Sequence, residues 1–504
     1  MTLAEFKSAP WGRSHQVYRS SDLSIQPAPE YASSEVLLAS LYRLLGFGEL
    51  TERVVATNGR ELDRSIDKAR DRQDRPPGAA LDGEAMHALL HGVMQSPKLQ
   101  NQSTRRFLQV APLIGEAAWF SGAARQAGNP WPAGMLVRRM VWLGAGSDMQ
   151  ARELWLELFQ ALAVGEDDDV FAKFLREELR SWTGQEWGPG LPSVDADGPG
   201  QLAIDEIGER ACPARRFARD LQSVLDAKPL LTRRQWISML EALVRLAAVA
   251  HVYWLAEVQA RLWDLVRRVA AGAPPPADVG EHLYPRQLDY LTLGVGAVAG
   301  LKDRTSRYLR ARLGINAVLW SLEDKGAGYA GSLSSATDVD RFLVHMAAHR
   351  QGVGGVLDEV EDLFEAEARV LRCAKGIGSN MMEFARHVLY QRSPADPSLR
   401  GYDQGFALRR RGAARNAHWI CAPGPVAVLT LVHCSLAGIN GPRSVQKLAR
   451  QMADYGIAVD HRDIARNELG HQLRILGLVL DSPDAETGML LVPPFGPQGQ
   501  AARA

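Results

Sequence analysis

Cysteine is scarce, with four residues (Cys212, Cys373, Cys421 and Cys434) in 504. That excludes a disulfide framework and fits a reducing compartment, where isolated cysteines serve as small core residues. Net charge is absent as well, because 58 Lys and Arg balance 58 Asp and Glu. No chain-wide basic field exists to hold nucleic acid or an anionic membrane, so such binding must come from a local patch. Uncharged apolar runs are short. The richest stretch, Trp236 to Val266, is interrupted by Glu241, Arg245, Glu257 and Arg261, which leaves it below the roughly 18 to 20 apolar residues of a membrane span. The opening MTLAEFKSAPWGRSHQ carries no hydrophobic signal core. The expected location is the cytoplasm.

Signature chemistry is missing too. The sequence holds no Walker A lysine motif, HExxH, paired CxxC, GxSxG or kinase motif set, which removes the readily legible ATPase, zincin, zinc-ribbon, hydrolase and kinase readings. Partial patterns have plainer explanations. Gly294, Gly296 and Ala299 spell G-x-G-x-x-A, but no βαβ alternation surrounds them, and a tight helix–helix contact through small residues accounts for them better than a dinucleotide site. His87 with His91 and His345 with His349 share helix faces at i,i+4 spacing, as two metal ligands would, and Glu84 with His87 matches half of a Glu-x-x-His motif, but its second copy is missing and ordinary histidines are the better account. His418, Cys421, His433 and Cys434 are the densest soft-ligand group, but neighbours 433 and 434 point in different directions on a helix. Glu323 and Lys325 resemble the end of a nuclease motif without its acidic strand. The expectation is no metal and no cofactor.

What is present is helical periodicity. Val36, Leu37, Ser40, Leu41, Leu44 and Leu45 follow the three- and four-residue spacing of an amphipathic helix, and this pattern recurs through most of the chain. The fold class expected is mainly α, multi-helical, with a small β-hairpin near the C-terminus. Helices are expected at Ser34 to Leu45, Gly83 to Met94, Ser103 to Phe120, Met135 to Leu143, Met149 to Leu162 and Asp168 to Trp182, then at Pro213 to Lys228 and Thr232 to Val269. Beyond these come Asp303 to Leu313, Ala336 to His349, Val356 to Arg372 and Asn380 to Arg392. Gly- and Pro-rich breaks at Gly184 to Gly200 and Ala271 to Gly280 punctuate them. The organisation read from this is a helical domain over 1–185, a linker over 186–200, a helical segment over 201–270, a helical domain over 281–400, a basic connecting segment over 401–424 and a C-terminal domain over 425–496.

That last region has a legible order. Pro425 to Ala437 is an apolar helix. Ser444 to Tyr455 is amphipathic, with Ser444 as its cap and Gly456 as its end. Asp460 caps a third helix, His461 to Leu476. Strands Leu478 to Leu480 and Met489 to Val492 then flank the turn-rich DSPDAETG. Three helices followed by a hairpin resemble the winged-helix variant of the helix-turn-helix family, over about the last seventh of the chain. The resemblance implies that His461, Arg462, Arg466, Asn467 and His471 lie on a helix that approaches the major groove, where Arg and Asn read guanine and adenine edges. It also implies that Arg443 and Lys447 lie nearby and that Ile464, Leu469, Leu473 and Leu476 form core. Asp481, Asp484 and Glu486 on the hairpin, and Asp463 and Glu468 on the helix, oppose phosphate contact.

The sharpest charge asymmetry precedes this region. Arg409, Arg410, Arg411, Arg415 and His418 alternate with Tyr402, Phe406 and Trp419, a composition in which arginines hold phosphates and aromatics stack on bases. The alternative is a solvated helical charge run paired with the acidic Asp358 to Glu367 stretch. The segments DPSLRGYDQGF and GLVLDSPDAETGMLLVPPF are, in addition, similar to uncharacterised proteins of bacterial phage-defence gene clusters. The function expected is a non-catalytic DNA-binding or scaffold subunit of a bacterial assembly. A scaffold that docks a separate ATPase or nuclease without touching DNA is the alternative, and a metal-dependent enzyme is the remote one.

Overall fold

A computed structural model of the chain describes residues 2–25, 34–47, 50–95, 108, 110–121, 133–188, 204–353, 355–392, 402–412, 417–439, 441–480 and 489–495. Helices dominate, and strands are two or three residues long, so the fold is mainly α. The elements that position the C-terminal module are α1 (Pro213–Asp226), α2 (Arg233–Ala270), α3 (Ala299–Asp324) and α4 (Gly376–Leu389). Within it lie α5 (Pro425–Ser435), α6 (Gln446–Asp454), α7 (His461–Ile464) and α8 (Glu468–Ile475).

Helix α2 is the axis. Thr232 and Gln235 form a capping box that satisfies its first amides, and its 38 residues extend roughly 57 Å. From Leu246 to Ala256 it is apolar on all sides except for His251, the pattern of a helix packed all round. It is the one helix among the described residues long and apolar enough to cross a membrane, and 94% of that window is buried inside the protein. Its buried Glu257 and Arg245 are neutralised where they lie. Glu257, nearly buried, meets Arg304 at 2.9 Å, Arg307 at 3.2 Å and Arg261 at 3.2 Å. Buried Arg245 donates to both oxygens of Asp403, at 2.7 and 3.2 Å. Asp403 also accepts from the Arg392 amide at 3.0 Å, and Arg392 reaches Glu241 at 3.1 Å. Burial pushes the Asp403 carboxyl up, but Arg245 and Arg392 outweigh it and hold it far below the carboxylate range.

Three small sheets join distant parts of the chain. Strand β1 (Leu291–Thr292) pairs in parallel with β6 (Ile457–Ala458). Strand β4 (Trp419–Cys421) runs antiparallel between β2 (Gly294–Val295) and β3 (Leu408–Arg410). Strand β8 (Leu490–Leu491) pairs with both β5 (Arg443–Ser444) and β7 (Val479–Leu480).

Several expectations are corrected. The described part of Ser103 to Phe120 contains no α-helix: Leu108 and Val110 make isolated bridges and Gly115–Trp119 is a 3-10 turn, because Ser121 bonds the Val110 backbone instead of continuing a helix. The helix Glu52–Arg72 was not expected, since its buried stripe (Val55, Leu62, Ile66) is diluted by charged residues. Helix α3 extends well beyond Asp303 to Leu313. The G-x-G-x-x-A glycines make no helix–helix contact: Gly294 and Gly296 hold φ of +90° and +80°, with open space where a Cβ would lie, and form the turn from β2 into α3. Ser444 lies in β5, and Val445 precedes α6 without a side-chain cap.

Candidate nucleic-acid interface

The basic run lies on a strand. In β3 and β4, Arg409 stands opposite Ile420 and Arg410 opposite Trp419. The Arg410 guanidinium sits 4.8 Å from the centre of the Trp419 ring, a cation–π contact, and Tyr390 meets the same ring edge-on at 5.0 Å. Trp419 is therefore held between two side chains rather than offered to a base. Arg409 pairs with Glu468 at the start of α8, and not with the Asp358 to Glu367 stretch of the alternative reading, and its Nε is buried without a hydrogen-bond partner. Arg411 is exposed and its amide donates to the His418 carbonyl at 2.9 Å. Arg415 and the acidic hairpin tip at Asp481, Asp484 and Glu486 lie outside the described residues. Between β3 and α8 is a cavity of about 600 Å³ whose lining includes Arg409, Arg410, Arg411, Cys421 and Glu468.

The expected third helix is two helices. Asp460 caps α7 by accepting from the Arg462 amide at 2.9 Å, and after a turn at Ala465 and Arg466 the side chain of Asn467 caps α8. Its Oδ1 accepts from the amides of Leu469 (2.9 Å) and Gly470 (3.2 Å). A bidentate adenine contact uses both ends of the amide, and the oxygen of Asn467 is already engaged. The close turn depends on Gly470, where a Cβ would come within 2.1 Å of the Ile464 carbonyl. Ile464, Leu469 and Leu473 are core as expected. Leu476 is not: it is 36% exposed and lies beside Ile475, 70% exposed, because α8 ends at Ile475.

The outward cations are Arg443, Lys447, Arg462, Arg466 and His471, joined by Arg450, which sequence reasoning passed over although it lies three residues after Lys447 on the same face of α6. Among the described residues, Lys447, Arg450, Arg462 and Arg466 have no carboxylate within ion-pair distance. His461 is half-buried, 3.3 Å from Gln446 and 3.6 Å from Asp460.

The module is anchored through its opposite side. Asp220 of α1, almost fully buried, accepts from the Tyr455 hydroxyl at 2.7 Å and from the Gln451 amide, and pairs with Arg216 at 3.1 Å. Burial raises the Asp220 carboxyl above its ordinary value in spite of these partners. His433 of α5 meets the Ser223 carbonyl at 2.9 Å. No signal in the sequence marks Asp220 as the anchor, since its partners in the module, Gln451 and Tyr455, lie more than 200 residues away.

The rings of each histidine pair pack against each other at a tilt. His87 and His91 are 4.4 Å apart, with His91 near Asp63 at 3.3 Å, and His345 and His349 are 4.3 Å apart, with His345 bonded to the Ala327 carbonyl. Among the described residues no group of three or more His, Cys, Asp or Glu side chains converges to hold a metal. Compared with known proteins, the chain matches no protein-family model and no curated protein.

Proposed function

We propose that the chain is a non-catalytic DNA-binding subunit of a multi-protein assembly, that its C-terminal module is a winged helix, and that α6 to α8 carry the contact surface. The element order supports the domain reading: α5, β5, α6, then α7 and α8, then β7 and β8, with β5 completing the hairpin sheet. The observation that carries the DNA reading is the set of exposed cations on α6 and around the α7–α8 turn, namely Lys447, Arg450, Arg462 and Arg466, that lack acidic partners among the described residues. Unneutralised cations on one short module are the local patch that a chain of zero net charge needs for phosphate contact. The basic strand serves as support behind it, because Arg409 and Arg410 already have partners.

The test is a titration of labelled double- and single-stranded DNA at several salt concentrations, comparing wild type with a variant in which Lys447, Arg450, Arg462 and Arg466 are Ala. Steep salt dependence that flattens in the variant supports the reading, and no binding at low salt overturns it. A second reading, a scaffold that docks a protein partner, draws on Ile475 and on the cross-strand pair Leu480 and Leu490, which are 70%, 53% and 37% exposed on the same module.

A further inference from the structure

Outside the module, α1 begins PARRFARD, with Arg215, Arg216 and Arg219 in its first two turns and Arg210 shortly before it. Cations are disfavoured in the first turn of a helix, where the macrodipole places about half a positive charge. Local choices that conflict with their surroundings concentrate at functional sites.

These arginines face a cleft of about 430 Å³ between α1, the segment Arg286 to Asp289, and the corner formed by Ala453, Asp454, Ala458 and Val459. Five arginines line it against three carboxylates. Two of the three carboxylates are engaged, Asp289 by Arg304 and Asp454 by Arg216 at 3.6 Å. Arg286 pairs outside the cleft with Glu281 at 2.6 Å, and Arg216 also holds Asp220. Arg215 donates to the Gly208 carbonyl at 2.6 Å. Arg210 and Arg219 have no ion-pair partner among the described residues, although Asp454 feels the charge of Arg219. The Arg210 Nε is buried with no hydrogen-bond acceptor, an arrangement that costs the desolvation of a charged donor.

We propose that this cleft binds a phosphate group. Guanidinium groups present N–H donors in a planar fork that matches phosphate oxygens, and Arg210 and Arg219 supply such forks in the cleft while Glu209 alone of its carboxylates has no cation assigned. The phosphate belongs either to a free phosphorylated small molecule or to a nucleic-acid backbone. The cleft shares no residue with the cation set of α6 to α8, so it stands apart from the DNA reading above.

The experiment is thermal melting and isothermal titration of the full chain at constant ionic strength, with inorganic pyrophosphate and with a short single-stranded DNA. The variants are Arg210→Ala with Arg219→Ala together, Arg219→Glu alone, and Glu209→Gln. Pyrophosphate is expected to raise the melting temperature of the wild type, as any ligand that prefers the folded state does. Affinity should fall about tenfold or more in the double variant, close to the 1.4 kcal/mol that a tenfold change represents, and rise in Glu209→Gln. Loss of DNA affinity in parallel identifies a backbone phosphate; a response to pyrophosphate alone identifies a free compound. Arg219 is exposed, so Arg219→Glu reports the same loss if the double variant folds poorly. Absence of any response to both probes in the wild type, or an unchanged response in Arg219→Glu and the double variant, overturns the proposal.

Discussion

Glu468, the first residue of α8, holds Arg409 of the basic strand in an ion pair. The residues are 59 positions apart, and their pairing links the strand to the helix that faces outward with Arg462 and Arg466. The pair is more than a third exposed on the Arg side, so its contribution to stability is small. Its importance is electrostatic, because it neutralises one cation of the basic strand.

Replacement Glu468→Gln should release Arg409. If DNA runs across this face, the log–log salt dependence of binding should steepen by about one phosphate contact, measured by fluorescence anisotropy between low and physiological salt. An unchanged slope would mean that nucleic acid does not reach Arg409.

Asn467 acts as a helix cap. Asn467→Ala should lower stability by about 1 kcal/mol, within the usual range for losing an N-cap, and Asn467→Asp should restore most of it. A base-reading role would give the opposite pattern for Asp, since a carboxylate repels the phosphate-rich groove. Urea denaturation of the two variants beside a DNA titration separates the alternatives.

Asp403 is shared by the buried Arg245 and Arg392, both of which also approach Glu241. Asp403→Asn should destabilise by about 3 to 5 kcal/mol, the cost of leaving buried charges uncompensated, visible as a large drop in melting temperature. Because the carboxyl is held below its unfolded value, its contribution is present above pH of about 4 and is lost as pH falls further toward the folded value.

His251 adds acid sensitivity at milder pH. Burial, with Arg139 adding to it, pushes its imidazole down to about 3. The unfolded chain therefore binds a proton that the folded chain refuses, and stability falls as pH drops from about 6.5 toward 3, by about 1.4 kcal/mol per unit. The ring stacks on Trp254 at 5.8 Å and its Nδ1 has no hydrogen-bond partner. His251→Phe should keep the stacking and flatten the decline in melting temperature between pH 6.5 and 5. His387, held down to about 4 by burial with Arg386 and Arg410, leaves a residual slope of similar size across that window.

Helix positions were legible wherever an apolar stripe repeats, and for that reason α1, α2 and α5 fall close to their expected limits. Interruptions were less legible. The break between α7 and α8 depends on an asparagine cap and on Gly470 approaching the Ile464 carbonyl, and neither leaves a trace in hydrophobic periodicity. Ion pairing was less legible still. Nothing in the order of residues says that Arg409 meets Glu468 rather than the acidic Asp358 to Glu367 stretch, because separations of this kind are set by tertiary packing. The outward cations Lys447, Arg462 and Arg466 were reached through the winged-helix resemblance, and their exposure agrees with where the apolar stripe of each helix lies.

The Asp220 anchor has a mechanical meaning. Tyr455, Gln451 and Arg216 converge on one buried carboxylate, and the β1–β6 pair ties the module to the body a second time. With two separate attachments, the module has no free hinge. Any duplex or partner it engages is oriented by the whole particle at once, so that rotation of the body becomes rotation of whatever is bound.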